Sequence, residues 1–325
     1  MYIINFTVKY MSLLQEKSMK KVLLFSILLL AMLAAYFAYT QNFATDKTVS
    51  PADPSATAAV PWKPGETILT GPCFKQTNCY RKFLGVTDQG KVLIQDFYAS
   101  GPKATDPYTV LTPQDAGLPF VGTTINADTL SNEPTNIDSL FSKSPGIDGL
   151  HVIWSENGQK LSEAHYQQGS ALPSFATFWY PSNGTKLAEW TFLADGQNGF
   201  TTLWYESGQK LAEIHSIGNP PQPSQMTVWF SNGQKQYEFN FHNGKVHGPL
   251  KEWYANGHQK TDASFQNGDL HGLMTTWHPN GQKQSEGYFQ DGKSHGLVTT
   301  WNENGQKRSE IVFDNDKVVD RRMFN

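Results

Sequence analysis

His271–Gly296 reads HGLMTTWHPNGQKQSEGYFQDGKSHG and ends on the dipeptide with which it begins. From His295 the chain continues HGLVTTWNENGQKRSEIVF, so the unit repeats almost letter for letter. A fixed period is settled first, because it sets the architecture of the whole segment. Tryptophan marks it: Trp154, Trp179, Trp204, Trp229, Trp253, Trp277 and Trp301 are separated by 25, 25, 25, 24, 24 and 24 residues. A turn dipeptide follows each, at Asn157-Gly158, Asn183-Gly184, Ser207-Gly208, Asn232-Gly233, Asn256-Gly257, Asn280-Gly281 and Asn304-Gly305. Asn-Gly between alternating segments predicts a hairpin with a type I′ turn, both central residues at φ > 0.

Around each turn the side chains alternate with period two, so Leu273, Thr275 and Trp277 share one face and Met274, Thr276 and His278 the other. The second strand ends on an aromatic ring at Tyr166, Phe192, Phe241, Phe265, Phe289 and Phe313, with Ser216 the exception. A second turn follows at Gln168-Gly169, Asp195-Gly196, Asn243-Gly244, Asn267-Gly268 and Asp291-Gly292. The expected fold is all-β: tandem hairpins stacked into one elongated, twisted antiparallel sheet, because one hairpin cannot bury a face alone. Equivalent residues then recur about 10 Å apart and the tryptophans form a ladder, expected in the core. Lys and Glu three apart recur from Lys160 and Glu163 to Lys307 and Glu310. That spacing predicts opposite faces of one strand, with each charge paired across to a neighbouring strand. In the fifth unit His258 is read as an extra turn residue, with Asp262 keeping the acid in register.

These motifs, W/Y-x-x-N-G-x-K, then E, then F/Y-x-x-G-K-x-x-G, resemble the MORN-variant repeat families over seven units, from about Gly149 to the C-terminus. The resemblance implies a binding or scaffold protein, and many bacterial members are labelled antitoxin components. The third unit departs from it, losing the aromatic and carrying Asn219-Pro220-Pro221-Gln222-Pro223, read as a loop, where a tight turn belongs. Only the last three units open with His-Gly.

The 325 residues divide on this reading into a leader (1–21), an apolar helix (22–40), a linker (41–64), a β-rich module (65–147) and the seven repeats (148–325). Val22–Tyr39 is an uncharged apolar run preceded by Lys20 and Lys21, a signal peptide or signal anchor with the lysines inside. Met19 is the expected start, with residues 1–18 an overrun; peptides upstream of Met19 in N-terminal mass spectrometry would refute that. The chain is accordingly expected to be exported: anchored in the inner membrane facing the periplasm, or periplasmic or secreted if the signal is cleaved. The Ala/Thr/Pro-rich linker reads as a tether. In an exported chain Cys73 and Cys79 read as a disulfide. Gly90–Tyr98 reads like the second half of a repeat, so the 65–147 module is expected to cap the sheet with degenerate repeats. At the other end Asn315-Asp316 replaces the turn glycine, and Lys317, Asp320, Arg321 and Arg322 make the last edge charged, as a terminal cap should be.

A net charge of −3 without a basic cluster argues against nucleic acid. His247, His271 and His295 recur with the repeat, too far apart to share one metal ion. No nucleophile elbow, phosphate loop or zinc-protease motif is present, and no cofactor is expected. The expected function is non-enzymatic: an exported cell-envelope protein, attached to the membrane by its N-terminal segment, binding a protein, peptide or glycan partner through the sheet. Tyr180, Tyr205, Phe230 and Tyr254, each following its tryptophan, are the expected contacts on the opposite face. The alternatives are an antitoxin or immunity-like protein, and an envelope enzyme with its site in residues 65–147.

Overall fold

The structure is a computed structural model that describes residues 60–73, 77–118, 120, 146–167, 174–192, 198–217 and 222–324. The apolar run, the leader, most of the linker and the turns at Gln168-Gly169 and Asp195-Gly196 lie outside the described residues. Among the described residues no helix is long and apolar enough to cross a membrane. The chain forms two compact units, Met1–Gly184 and Thr185–Asn325.

Unit one contains β1 (Thr67–Pro72), β2 (Asn78–Val86), β3 (Val92–Tyr98), β4 (Tyr108–Val110), the one-turn helix α1 (Pro113–Ala116), β5 (Ile147–Trp154), β6 (Lys160–Tyr166) and β7 (Phe175–Trp179). Each strand pairs antiparallel with the next, β1 through β7. The module before the first repeat thus shares its sheet through the β4–β5 pair. Thr112 starts α1 by a capping box with Asp115. Cys73 and Cys79 form a disulfide across the β1–β2 hairpin. Buried Cys79 packs with Tyr98, Ala104 and Ile153, which ties the bridge to the first repeat.

Unit two contains β8 (Lys186–Phe192), β9 (Gly199–Trp204), β10 (Lys210–Ile217), β11 (Gln222–Trp229), β12 (Lys235–His242), β13 (Lys245–Trp253), β14 (Gln259–Gln266), β15 (Asp269–Leu270), β16 (Gly272–Trp277), β17 (Lys283–Gln290), β18 (Lys293–Trp301), β19 (Lys307–Asp314) and β20 (Lys317–Met323). These too pair antiparallel in sequence order, with β15 and β16 sharing β14 as neighbour. Gln222 and Pro223, expected in a loop, already belong to β11 and pair with Ile217 and Ser216 beside a register shift. Residues 219–221 lie outside the described residues.

The two turns of each unit differ. In the Trp-following turn only glycine is left-handed, as at Gly233 (φ 83) and Gly281 (φ 83). Phe230 N–H donates to Gln234 O and Gly233 N–H to Phe230 O, both within 2.9 Å, which makes a type I turn closed by a glycine bulge. This corrects the expected type I′ turn. Asn232 stays out of the left-handed region because its amide works elsewhere: Oδ1 accepts from Gln234 N and Nδ2 donates to Ala255 O of the next repeat. Asn256 and Asn280 repeat the second bond, to Pro279 O and Glu303 O. The type I′ pattern belongs to the other turn, where Asn243-Gly244, Asn267-Gly268 and Asp291-Gly292 are left-handed throughout. Asn315 and Asp316 adopt it without any glycine, at φ 48 and 67.

The core is made not by the tryptophans but by the residues before them. Ile153 and Phe178 in unit one, and Leu203 and Val228 in unit two, are almost fully buried, whereas every ladder tryptophan is only half-buried. Burying a side chain such as Val228 contributes about 1.5–3 kcal/mol. In unit two this inner layer begins apolar, with Leu203, Ile214, Met226 and Val228. Further along it turns polar, where Thr276 meets Ser285 at 2.6 Å and Thr300 meets Ser309 at 2.7 Å.

Candidate partner-binding face

An extra residue in each hairpin decides what the tryptophans stand beside. Lys160 faces Trp154 and Ser162 faces Ile153, so Leu161 has no cross-strand partner. The same bulge recurs beside Trp204, Trp229, Trp253, Trp277 and Trp301. One unpaired residue reverses the alternation, and Lys and Glu three apart land on one face. They pair within the strand, against the expected pairing across strands: Lys160–Glu163 at 2.7 Å, Lys186–Glu189 at 2.6 Å, Lys235–Glu238 and Lys283–Glu286 at 2.7 Å, and Lys307–Glu310 at 2.6 Å. Lys210 and Glu213 do likewise.

All of these lysines except Lys307 also lie over the indole of the following repeat. The ammonium is 5.2 Å from the ring centroid for Lys160–Trp179 and Lys186–Trp204, 5.3 Å for Lys210–Trp229 and Lys235–Trp253, and 5.4 Å for Lys283–Trp301. A rung is therefore carboxylate, ammonium, indole, joining neighbouring hairpins by an ion pair and a cation–π contact. The row continues beyond the tryptophans. Lys307 lies 5.7 Å from the ring of Phe324, which stands where another tryptophan would.

At the other end Lys103 lies 4.0 Å from the Trp154 ring and 2.6 Å from Asp106, which also accepts from Trp154 Nε1. Phe97–Asp106, FYASGPKATD, is thus a repeat in its own right, in line with Trp204–Glu213, WYESGQKLAE. Phe97 pairs with Lys103 as Trp204 pairs with Lys210, and Gly101 N–H donates to Tyr98 O as Gly208 N–H does to Tyr205 O.

The fifth unit breaks the pattern. His258 adds no residue to the turn; it stands where Gln282 stands in the sixth, which corrects the sequence reading. Gln259 takes the lysine's place opposite Trp253, and Lys260 becomes the bulge residue. Lys260 turns to the inner side, 2.9 Å from the buried carboxylate of Glu252, which also accepts from Tyr237 and Thr261.

The tryptophan face also carries exposed apolar side chains. In unit one this is Leu150; in unit two they are Phe200, Ile217, Leu273, Tyr288 and Leu297, all between 44% and 55% exposed. Phe200 packs edge-on against His215, its cross-strand neighbour on that face. Leu273 and Tyr288 stand opposite each other in register. Of these only Leu273 was placed on the tryptophan face from the sequence, and none was read as a contact, although each lies four residues before a tryptophan or on the strand facing that place.

Two of the four aromatics expected as contacts, Tyr205 and Tyr254, bond to the next repeat. The Tyr205 hydroxyl donates to Trp229 O at 2.9 Å and that of Tyr254 to Trp277 O at 2.8 Å. Tyr98 does the same to Trp154 O at 2.8 Å, and burial together with the Glu156 charge pushes its pKa up to about 12. Burial also raises the pKa of Tyr205 and Tyr254. Tyr180 and Phe230 occupy the same position and are half-buried.

Two other clusters could carry chemistry. In unit one Arg81 bonds both oxygens of Asp96, at 2.6 and 3.0 Å, and the carbonyls of Ala116 and Leu118. Tyr108 donates to Asp96, and His151 packs edge-on against Tyr108 at 4.5 Å. All four side chains are buried, and burial lowers the His151 pKa to about 4. The cluster fastens β2, β3 and β4 to α1, with no side chain presented to solvent. The repeat histidines stand apart from one another beside the second turns. His271 faces Asp291 at 3.5 Å, His295 faces Asp314 at 3.7 Å, and His247 accepts from Asn267 N at 3.4 Å. Among the described residues no group of three His, Cys, Asp or Glu could hold a metal ion.

A family profile described as "MORN repeat variant" matches residues 147–168, 270–291 and 294–315. No curated protein matches the chain. Among solved structures, the Tc holotoxin pore of Photorhabdus luminescens is similar at 13% identity with a TM-score of 0.19, over 70% of this chain and 12% of that one.

Proposed function

We propose that this chain, which carries repeats of the MORN variant, is a non-enzymatic scaffold that binds a partner through the tryptophan face of its hairpins. The observation that supports the reading is one-sidedness. From β5 to β19 the exposed large apolar side chains, Leu150, Phe200, Ile217, Leu273, Tyr288 and Leu297, stand on the face that carries the rungs, whereas in the edge strand β20 exposed Val318 and Met323 stand on the inner side, opposite Phe313 and Ser309. Exposed apolar side chains beside charge, as at the facing pair Leu273 and Tyr288, are a mark of an interaction surface. The rungs hold that face rigid, which lowers the entropic cost of binding. The proposed partner is a protein of the compartment outside the inner membrane, reached by export through Val22–Tyr39, where the Cys73–Cys79 bridge is chemically favoured.

A photo-crosslinking amino acid placed in living cells at Phe200, Leu273 or Leu297 tests the face, with exposed Val86 in β2 as control. Discrete adducts from the three face positions and none from Val86 are expected. Adducts from Val86 alone, or none from the face, would end the proposal. A reporter active only outside the cytoplasm, fused after Asp46, should be active; a silent one would remove the export reading.

A further inference from the structure

The fifth rung differs from its neighbours in the one group that faces outward between an acid and an indole. Cations are recorded over Trp154, Trp179, Trp204, Trp229, Trp253, Trp301 and Phe324. At Trp277 the corresponding register place holds Gln259, whose neutral amide donates to Asp262 at 3.2 Å. The acid of this rung is therefore held by a longer hydrogen bond from a neutral donor, in place of the 2.6–2.7 Å ion pairs of its neighbours. Three substitutions act together to produce this. Gln259 replaces the lysine, Lys260 moves to the bulge, and Glu252 on the inner side receives it. On the tryptophan face they leave a carboxylate and a half-buried indole whose bridging group is an amide.

We propose that the Asp262–Trp277 rung binds the ammonium of a lysine side chain presented by a partner polypeptide. The inference rests on the tryptophan face being the binding face, and it names the chemistry read there. The argument is charge complementarity calibrated inside the molecule: at Lys103, Asp106 and Trp154 an aspartate beside an indole accepts an alkylammonium, at 2.6 Å from the carboxylate and 4.0 Å from the ring centroid. An incoming lysine displaces the Gln259 amide from Asp262 and gains a charge-assisted bond together with the ring contact. Exposed Leu273 lies on the same strand and face as Trp277, four residues before it, and offers apolar cover for the lysine's methylenes. Lys251 stands opposite Asp262 in register, exposed, and competes for the same carboxylate.

The test uses the full chain with labelled indoles, titrated with Nα-acetyl-lysine methylamide and with its norleucine counterpart. The Trp277 indole resonance, assigned by Trp277→Phe, is expected to shift with the lysine probe and not with norleucine, saturating only at millimolar concentration. Gln259→Lys restores the regular rung and should weaken the response at least tenfold; Asp262→Asn should weaken it several-fold, and Lys251→Ala should strengthen it. The remaining indole signals report that each variant is folded. Equal response to norleucine, or an undiminished response in Gln259→Lys, would overturn the inference. If Trp277 stays silent while crosslinks still form at Leu273, the lysine site falls and the binding face stands; if both are silent, both fall.

Discussion

Gly287 and Gly296 show two different reasons for a glycine within one hairpin pair. Gly296 sits at φ 75 opposite Phe313, and a Cβ there would meet nothing within 4 Å. Its need is purely backbone: a left-handed L-residue costs roughly 1–2 kcal/mol. Gly287 has no such φ, but a Cβ there would lie 2.7 Å from Val298 Cγ2. Its need is space, and overpacking costs about 1–3 kcal/mol. Urea denaturation should therefore show Gly296→Ala and Gly287→Ala both destabilised. Adding Val298→Ala should show strong favourable coupling with Gly287→Ala and none with Gly296→Ala. Recovery of both, or of neither, would mean that these roles are misassigned.

At the scale of the element, the bulge explains both what the sequence showed and what it hid. Hairpins, their order and the Cys73–Cys79 bridge were legible because turn residues and the period of tryptophan are local signals. Faces were less so: the unpaired residue after each lysine reverses an alternation that the letters alone continue, so the Lys–Glu pairs were misplaced, while the tryptophans were taken for core because every unit repeats one. The same blindness turned the Gln259–Lys260 exchange into an imagined insertion. Phe97–Asp106 was hidden differently: phenylalanine stands for the marker tryptophan, and Asp96 fills the inner place that Ile153 fills in the first repeat. A buried carboxylate there requires Arg81, whose guanidinium joins β2 to β3. Arg81→Met leaves Asp96 without its countercharge, with Tyr108 still donating, and should cost about 3–5 kcal/mol in chemical denaturation. Adding Asp96→Leu should recover about half of it, since the Ala116 and Leu118 carbonyls stay without their donor. A double variant no better than Arg81→Met would show that the pair's charge is not what the site must balance.

Taken as a whole molecule, the chain buries its polar groups differently in its two units, and acid should find the difference. The inner layer of unit two turns to Ser and Thr, which do not titrate, around Glu252 with its three partners. Unit one encloses His151, whose Nε2 is buried without a hydrogen-bond partner and whose pKa burial lowers to about 4. Asp96 nearby pulls that value up and Arg81 pulls it down, so burial decides. The unfolded chain takes up this proton near pH 6.5 and the folded one only near 4. The stabilising effect of keeping His151 neutral is thus complete above pH 6.5 and is lost as pH falls towards 4. The loss approaches one proton's slope, about 1.4 kcal/mol per pH unit, and totals on the order of 3 kcal/mol. Hydrogen exchange read by mass spectrometry should show peptides from β2 to β6 losing protection between neutral pH and pH 4.5, after correction for the intrinsic exchange rate. His151→Phe keeps a ring against Tyr108 and removes the titration, so it should retain that protection at acid pH. Equal acid sensitivity in His151→Phe would assign the effect to other groups and leave His151 a packing residue only.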